Sequence, residues 1–194
     1  MTSDLFMHSN YEIRKKILKL FGGSFHIFNS MGDEVMFASL KAFKLKEDIT
    51  IFTGRDMQTE VLRIKARKIL DFSCTYDVTD AATEEKIGAL RRKGLKSAFL
   101  KDEWVFLDNL DNEAGLIKED SMFLALVRRW ATNIIPQKYH AEMNGTDVCT
   151  FKQNFNPFSL RLAIDFSPDM RNLLDRRLGI AAGILLCAIE GRQQ

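Results

Sequence analysis

The chain has 194 residues, 46% hydrophobic and 28% charged, a balance that suits one globular domain with an ample core. Its formal charge of +2 is too small to imply a nucleic-acid binder. Cys74, Cys149 and Cys187 are odd in number and lack short spacing, which excludes a simple disulfide framework or zinc knuckle and fits a reducing, cytoplasmic compartment.

The start of the chain carries Asp4, Glu12 and a Lys/Arg run without an apolar core, so no secretory signal is expected. "YEIRKKILKL" from Tyr11 reads as a strand, and a repeating hairpin follows it. The copies are "FHIFNSMGDEVMFASLK" from Phe25, "ITIFTGRDMQTEVLRIK" from Ile49 and "CTYDVTDAATEEKIGALRR" from Cys74. Two looser copies are "WVFLDNLDNEAGLIKED" from Trp104 and "YHAEMNGTDVCTFKQN" from Tyr139. Each has a short strand, a turn rich in Asn, Asp and Gly, and a second strand that opens on an apolar residue. Val35, Val61 and Ile87 mark that opening at steps of about 26 residues, which is a repeat signal.

Within "EVLRIKARK" the alternation places Val61, Arg63, Lys65 and Arg67 on one face and Leu62, Ile64 and Ala66 on the other. "FLALVRRW", Phe123 to Trp130, reads as a strand with Leu124 and Leu126 inward. Alternatively it is a short amphipathic helix whose Arg128, Arg129 and Trp130 suit a membrane interface. "NGT" at Asn144 is expected to be a hairpin turn rather than a glycosylation site. "FSLRLAIDF" reads as the last strand, for about twelve in all over residues 11–166.

The tail "LGIAAGILLCAI", Leu178 to Ile189, has no charged side chain. A helix of that length rises about 18 Å, whereas a bilayer core is about 30 Å thick. Extending it upstream meets Arg177, Arg176, Asp175 and Arg171, so no transmembrane span is expected. It also lacks the polar face of a surface helix, so protein must surround it. Ser167 is a candidate cap, with Pro168 and Asp169 suited to the first turn, giving a helix over about residues 169–190. About twelve strands are too many to lie open, and closing them leaves a void that this helix fills. The expectation is a single domain over residues 1–194: a mainly β (α+β) closed antiparallel barrel around a central C-terminal helix.

The order of these segments, from "FHIFNSMGDEVMFASLK" through "FSLRLAID" to "LLDRRLGIAAGILLCAI", resembles the phospholipid scramblase and LURP-one-related family over nearly the whole chain. The resemblance implies the tubby-like fold, a twelve-stranded barrel around a hydrophobic helix. It also implies a non-enzymatic, membrane-associated or lipid-regulated protein, since tubby-like members bind phosphoinositides and scramblases respond to calcium. The proline- and cysteine-rich region that precedes the barrel in scramblases has no counterpart before Tyr11, so the likeness leans toward LURP-one-related proteins. Asp165, Asp169 and Asp175 lack the ligand spacing and turn glycine of a calcium loop and read as capping residues. No metal or other cofactor is expected.

The chain contains no Walker loop, dinucleotide fingerprint or nucleophile elbow, and His8, His26 and His140 are scattered, so no enzyme is expected. Cys187 reads as a small core residue. The candidate binding residues are Arg63, Lys65 and Arg67 together with Arg91, Arg92 and Lys93, which close the next hairpin. Such a surface would hold anionic phospholipid headgroups through charge-assisted hydrogen bonds. The same cations would also serve simply as the polar exterior that any barrel needs. A cytosolic barrel that binds lipid headgroups or other anions on its outside, peripheral at the membrane, is the first expectation, a protein-interaction or regulatory scaffold the alternative, and an enzyme or calcium-dependent lipid scramblase the third.

Overall fold

A computed structural model describes residues 3–16, 23–40, 48–67, 74–93, 103–120, 137–154 and 159–189. A short 3-10 turn, Ser3–Phe6, precedes β1 (Asn10–Lys16). Five hairpins follow: β2 (Gly23–Asn29) with β3 (Glu34–Leu40), β4 (Asp48–Phe52) with β5 (Glu60–Ala66), and β6 (Thr75–Asp80) with β7 (Lys86–Arg92). Next come β8 (Glu103–Leu107) with β9 (Glu113–Glu119), and β10 (Lys138–Met143) with β11 (Thr146–Asn154). The chain returns through β12 (Ser159–Asp165) and ends in helix α1 (Arg176–Ile189). Every strand pairs antiparallel with its predecessor, and β12 pairs β1 from Asn10↔Asp165 to Lys16↔Ser159, closing a twelve-stranded barrel. The "FLALVRRW" segment lies outside the described residues.

The turns are shaped by local side-chain acceptors. Asn29 Oδ1 accepts from the Met31 and Asp33 amides, Asp80 Oδ1 from Ala82 and Thr83, and Asp108 Oδ1 from Leu110 and Asn112. Asn144 and Gly145 both take positive φ, 50° and 75°, as a two-residue hairpin turn requires.

A β-bulge interrupts each of the five hairpins next to its turn. In the first three, the residue left without a cross-strand partner is Val35, Val61 or Ile87. The apolar marker that repeats in the sequence is therefore the bulge residue. Its side chain packs on the core under the turn, and the bulge adds the local twist that a closing sheet needs. Val61 accordingly leaves the basic face on which strict alternation placed it: it is buried, while Arg63 and Lys65 point outward. An alternation rule that assumes a regular strand fails at the bulge.

The interior is continuous hydrophobic core. Ile13, Phe25, Ile27, Met36, Ile51, Leu62, Phe106 and Phe151 from the inward rows meet Ile180, Ile184 and Leu185 of α1. Leu178 to Ala188 are all buried, and α1 packs against β12, β7 and β1. Small residues let it fit: a β-carbon on Gly183 would stand 2.6 Å from Ile164 Cδ1, and one on Gly88 3.2 Å from Leu178 Cδ2.

The helix begins at Arg176 rather than near Asp169. Residues 166–175 form turns that carry the chain from the barrel wall to its axis. The buried Asp169 carboxylate accepts the Leu173 and Leu174 amides at 2.8 and 2.9 Å, holding that turn instead of opening the helix. Asp175 is the true cap, with Oδ1 2.9 Å from the Arg177 amide. The Ser-Pro-Asp signal is real local chemistry spent on a turn.

Candidate functional site

The six basic residues singled out in the sequence are distributed over the wall and one end of the barrel, and most are ion-paired. Arg63 meets Glu60 at 2.6 Å and Glu84 at 3.6 Å. Arg67 makes a two-pronged contact with Asp77, at 2.9 and 2.6 Å, and also reaches Asp111. Lys86 shares both of those carboxylates, so Arg67, Asp77, Lys86 and Asp111 form one network across β5, β6, β7 and the β8–β9 turn. Burial pushes the Asp77 carboxyl up, but the Arg67 and Lys86 contacts outweigh it and hold the group below its ordinary range. Arg91 pairs with Glu113, and Lys93 with Glu103 at 3.1 Å. Lys65 is exposed and lies in register between Asp48 and Asp77. Arg92 continues the row of Gly88 and Leu90, opposite Trp104, and is half-buried.

Charge is nevertheless segregated along the barrel axis. At one end lie the hairpin turns and the start of α1. Their acids are Asp33, Asp56, Glu84, Glu85, Asp108 and Asp111, joined by Asp169 and Asp175, against Arg55, Lys86, Arg171, Arg176 and Arg177. At the other end the odd-numbered strands finish and the even-numbered ones begin. Among the described residues Lys15, Lys65, Arg92, Lys93, Lys138 and Lys152 lie at or near those strand ends, against Asp48, Glu103, Glu119 and Asp120, while Arg67 and Arg91 are drawn into ion pairs with Asp111 and Glu113 of the β8–β9 hairpin. The N-terminus of α1 points toward the hairpin end, where the Asp175 cap complements the helix dipole while Arg176 and Arg177 of the first turn oppose it. Of the six candidates, Lys65, Arg92 and Lys93 belong to the basic end, Arg67 and Arg91 reach toward the β8–β9 turn, and Arg63 lies nearer the other hairpin turns. Alternation along one strand could not reveal this polarity, because it depends on which strand ends the closed sheet gathers.

A cavity of about 520 Å³ opens at the acidic end. Phe6, Met7, Val61 and Leu174 supply apolar lining, while Glu60, Asp80, Asp175, Arg176 and Arg177 surround it. Arg177 bridges Asp80 at 2.8 Å and Asp175 at 2.6 Å, which ties the helix start to the β6–β7 turn. The Arg176 guanidinium lies 4.8 Å from the Phe166 ring centre. Tyr11 anchors the first residues, its hydroxyl donating to the Leu5 carbonyl at 2.8 Å, and burial pushes its pKa up to about 12. The sequence signal for this cavity was weak, since its lining comes from four separate parts of the chain.

Burial raises the Cys149 and Cys187 thiols above their ordinary range, leaving them protonated core residues. His26 Nδ1 lies 2.9 Å from Glu34 Oε1, His140 contacts Asp120, and the His8 ring packs edge-on to Tyr11. Among the described residues no group of His, Cys, Asp or Glu is placed to hold a metal ion. Of the three acids weighed for calcium, Asp165 accepts the Ser167 amide at 2.8 Å and the other two hold the turn and the helix cap already described. No described helix is long and apolar enough to cross a membrane. No known family model matches the chain, and no curated protein matches it.

Proposed function

We propose that this chain is a non-enzymatic binding barrel of the scramblase and LURP-one-related kind that docks peripherally on membranes through anionic lipid headgroups. The observation that carries the reading is the axial difference in charge among the described residues, with Lys65, Arg92 and Lys93 among the cations at one end. A barrel charged in this way orients in the field of an anionic surface, basic end inward and acidic turns outward. The interior is occupied by α1, so the ends and the outer wall are what the barrel offers a ligand. The ion pairs do not prevent phosphate binding. Exposed pairs are worth only about 0–1 kcal/mol, and a headgroup phosphate offers the same guanidinium or ammonium more acceptors.

Flotation with vesicles of neutral lipid, of phosphatidylserine and of mixed phosphoinositides tests the reading. Binding to the anionic vesicles is expected, weakening as salt rises. Reversal of Lys65 and Lys93 to Glu should reduce it several-fold, and reversal of Arg63, which lies nearer the acidic turns, should reduce it less. Absence of flotation at physiological salt, or flotation indifferent to both reversals, contradicts the proposal.

A further inference from the structure

The charged groups that line the cavity at the start of α1 are unequally satisfied. Arg63 holds Glu60 at 2.6 Å, and Arg177 spans Asp80 and Asp175. Asp80 also accepts the Ala82 and Thr83 amides, and Asp175 the Arg177 amide. The three lining carboxylates are thus occupied, and so is Arg177. Arg176 differs: among the described residues no carboxylate pairs with it. Its guanidinium donates only to two neutral oxygens, the His8 carbonyl at 3.4 Å and Asn172 Oδ1 at 3.5 Å, both beyond the usual hydrogen-bond length. Its other neighbour is the Phe166 ring.

The same space has an apolar side. Phe6, Met7, Val61 and Leu174 line it, and its volume of about 520 Å³ suits a small molecule. Charge bookkeeping at the individual groups then selects the ligand. A cation would have to displace Arg63 or Arg177 from a carboxylate already bonded. A neutral apolar molecule would leave Arg176 as it is. A carboxylate gives that guanidinium the two acceptors its planar fork matches.

We propose that this cavity binds a small amphipathic monocarboxylate, a molecule with an apolar body and one anionic end. The carboxylate pairs with Arg176, and the apolar body lies against Phe6, Met7, Val61 and Leu174. This site is separate from the lipid-headgroup reading, which rests on cations at the far end of the barrel. Arg176 is also free to change. Arg177 ties the helix start to the β6–β7 turn, whereas the contacts of Arg176 are long and uncharged at the other end.

The experiment is calorimetric titration of the full chain with octanoate, 1-octanol and octylamine, which share one apolar chain and differ in the charge of the head. Saturable binding of octanoate is expected, at least tenfold tighter than that of either other probe. Arg176→Gln should keep the parent Tm and remove this preference, leaving octanoate no tighter than octanol, and Arg176→Lys should restore part of it. Met7→Ser should weaken octanoate and octanol together, since it alters only the apolar wall. Lys65→Glu, which tests the lipid reading, should change none of these values, so the two proposals fail separately. Absence of saturable octanoate binding, a preference for octylamine, or a preference for octanoate that survives Arg176→Gln overturns the proposal. Acetate binding as tightly as octanoate would make this a bare anion site and overturns it as well.

Discussion

Gly179 and Phe166 meet where the chain turns from the barrel wall into its axis: a β-carbon on Gly179 would stand 2.4 Å from Phe166 Cε1 and 2.6 Å from Cζ. Phe166 is fully enclosed and also stacks edge-on with Tyr11, so its ring has no free direction in which to retreat. Alanine in place of glycine favours a helix by about 1 kcal/mol, whereas overpacking a core costs about 1–3 kcal/mol. The clash should win. Gly179→Ala is expected to lower stability in urea denaturation by about 1–2 kcal/mol, and Gly183→Ala by less, since it presses on the movable methyl ends of Ile164 and Ile13. Equal or improved stability of Gly179→Ala would show that the helix does not lie against that ring.

The turn before the helix depends on one carboxylate. Asp169 is buried and accepts two backbone amides, from Leu173 and Leu174. Asp169→Ala leaves both donors without their acceptor and should cost about 1–3 kcal/mol. Asp175→Ala, which removes the exposed helix cap, should cost about 1 kcal/mol. The order of the two, read from chemical denaturation midpoints, distinguishes a helix starting at Arg176 from one starting at Asp169.

Thiol labelling should follow burial. Cys149 and Cys187 are buried with raised thiol pKa, while Cys74 is only partly buried at the start of β6. Iodoacetamide at neutral pH is expected to modify Cys74 first in the native protein and all three cysteines in denaturant, as read by mass spectrometry. Rapid native labelling of Cys187 would place the helix outside the core.

Glu34 links stability to pH. The Arg55 hydrogen bonds, together with His26 beside it, hold its carboxyl below the ordinary range. Because the folded pKa is depressed, its contribution is present above the unfolded value of about 4.3 and fades as pH falls through the lower folded value. The stability difference between the parent and Glu34→Gln should therefore be largest near neutral pH and shrink in acid. A difference that grows as pH falls would reverse the sign and remove this assignment.

The barrel was legible in the sequence because its signals are local. Asn29, Asp80 and Asp108 shape their own turns, and Val35, Val61 and Ile87 repeat because each hairpin carries the same bulge. The central helix was legible because a segment without a polar face has few places to go. The site was less so. Which carboxylate meets Arg67 or Arg91 depends on register between strands far apart in the chain, as with Asp111 and Glu113. The exact face of Val61 and the start of α1 failed for a related reason: a bulge and a wall-to-axis turn both use residues that fit regular elements equally well.

The account rests on α1 being enclosed by the chain's own strands, and native-state hydrogen exchange measures that directly. Amides of Leu178 to Ala188 should exchange only through global unfolding, as slowly as those of β1 and β12, with or without anionic vesicles present. Exchange of the helix far ahead of those strands, or protection that appears only when lipid is added, would contradict it.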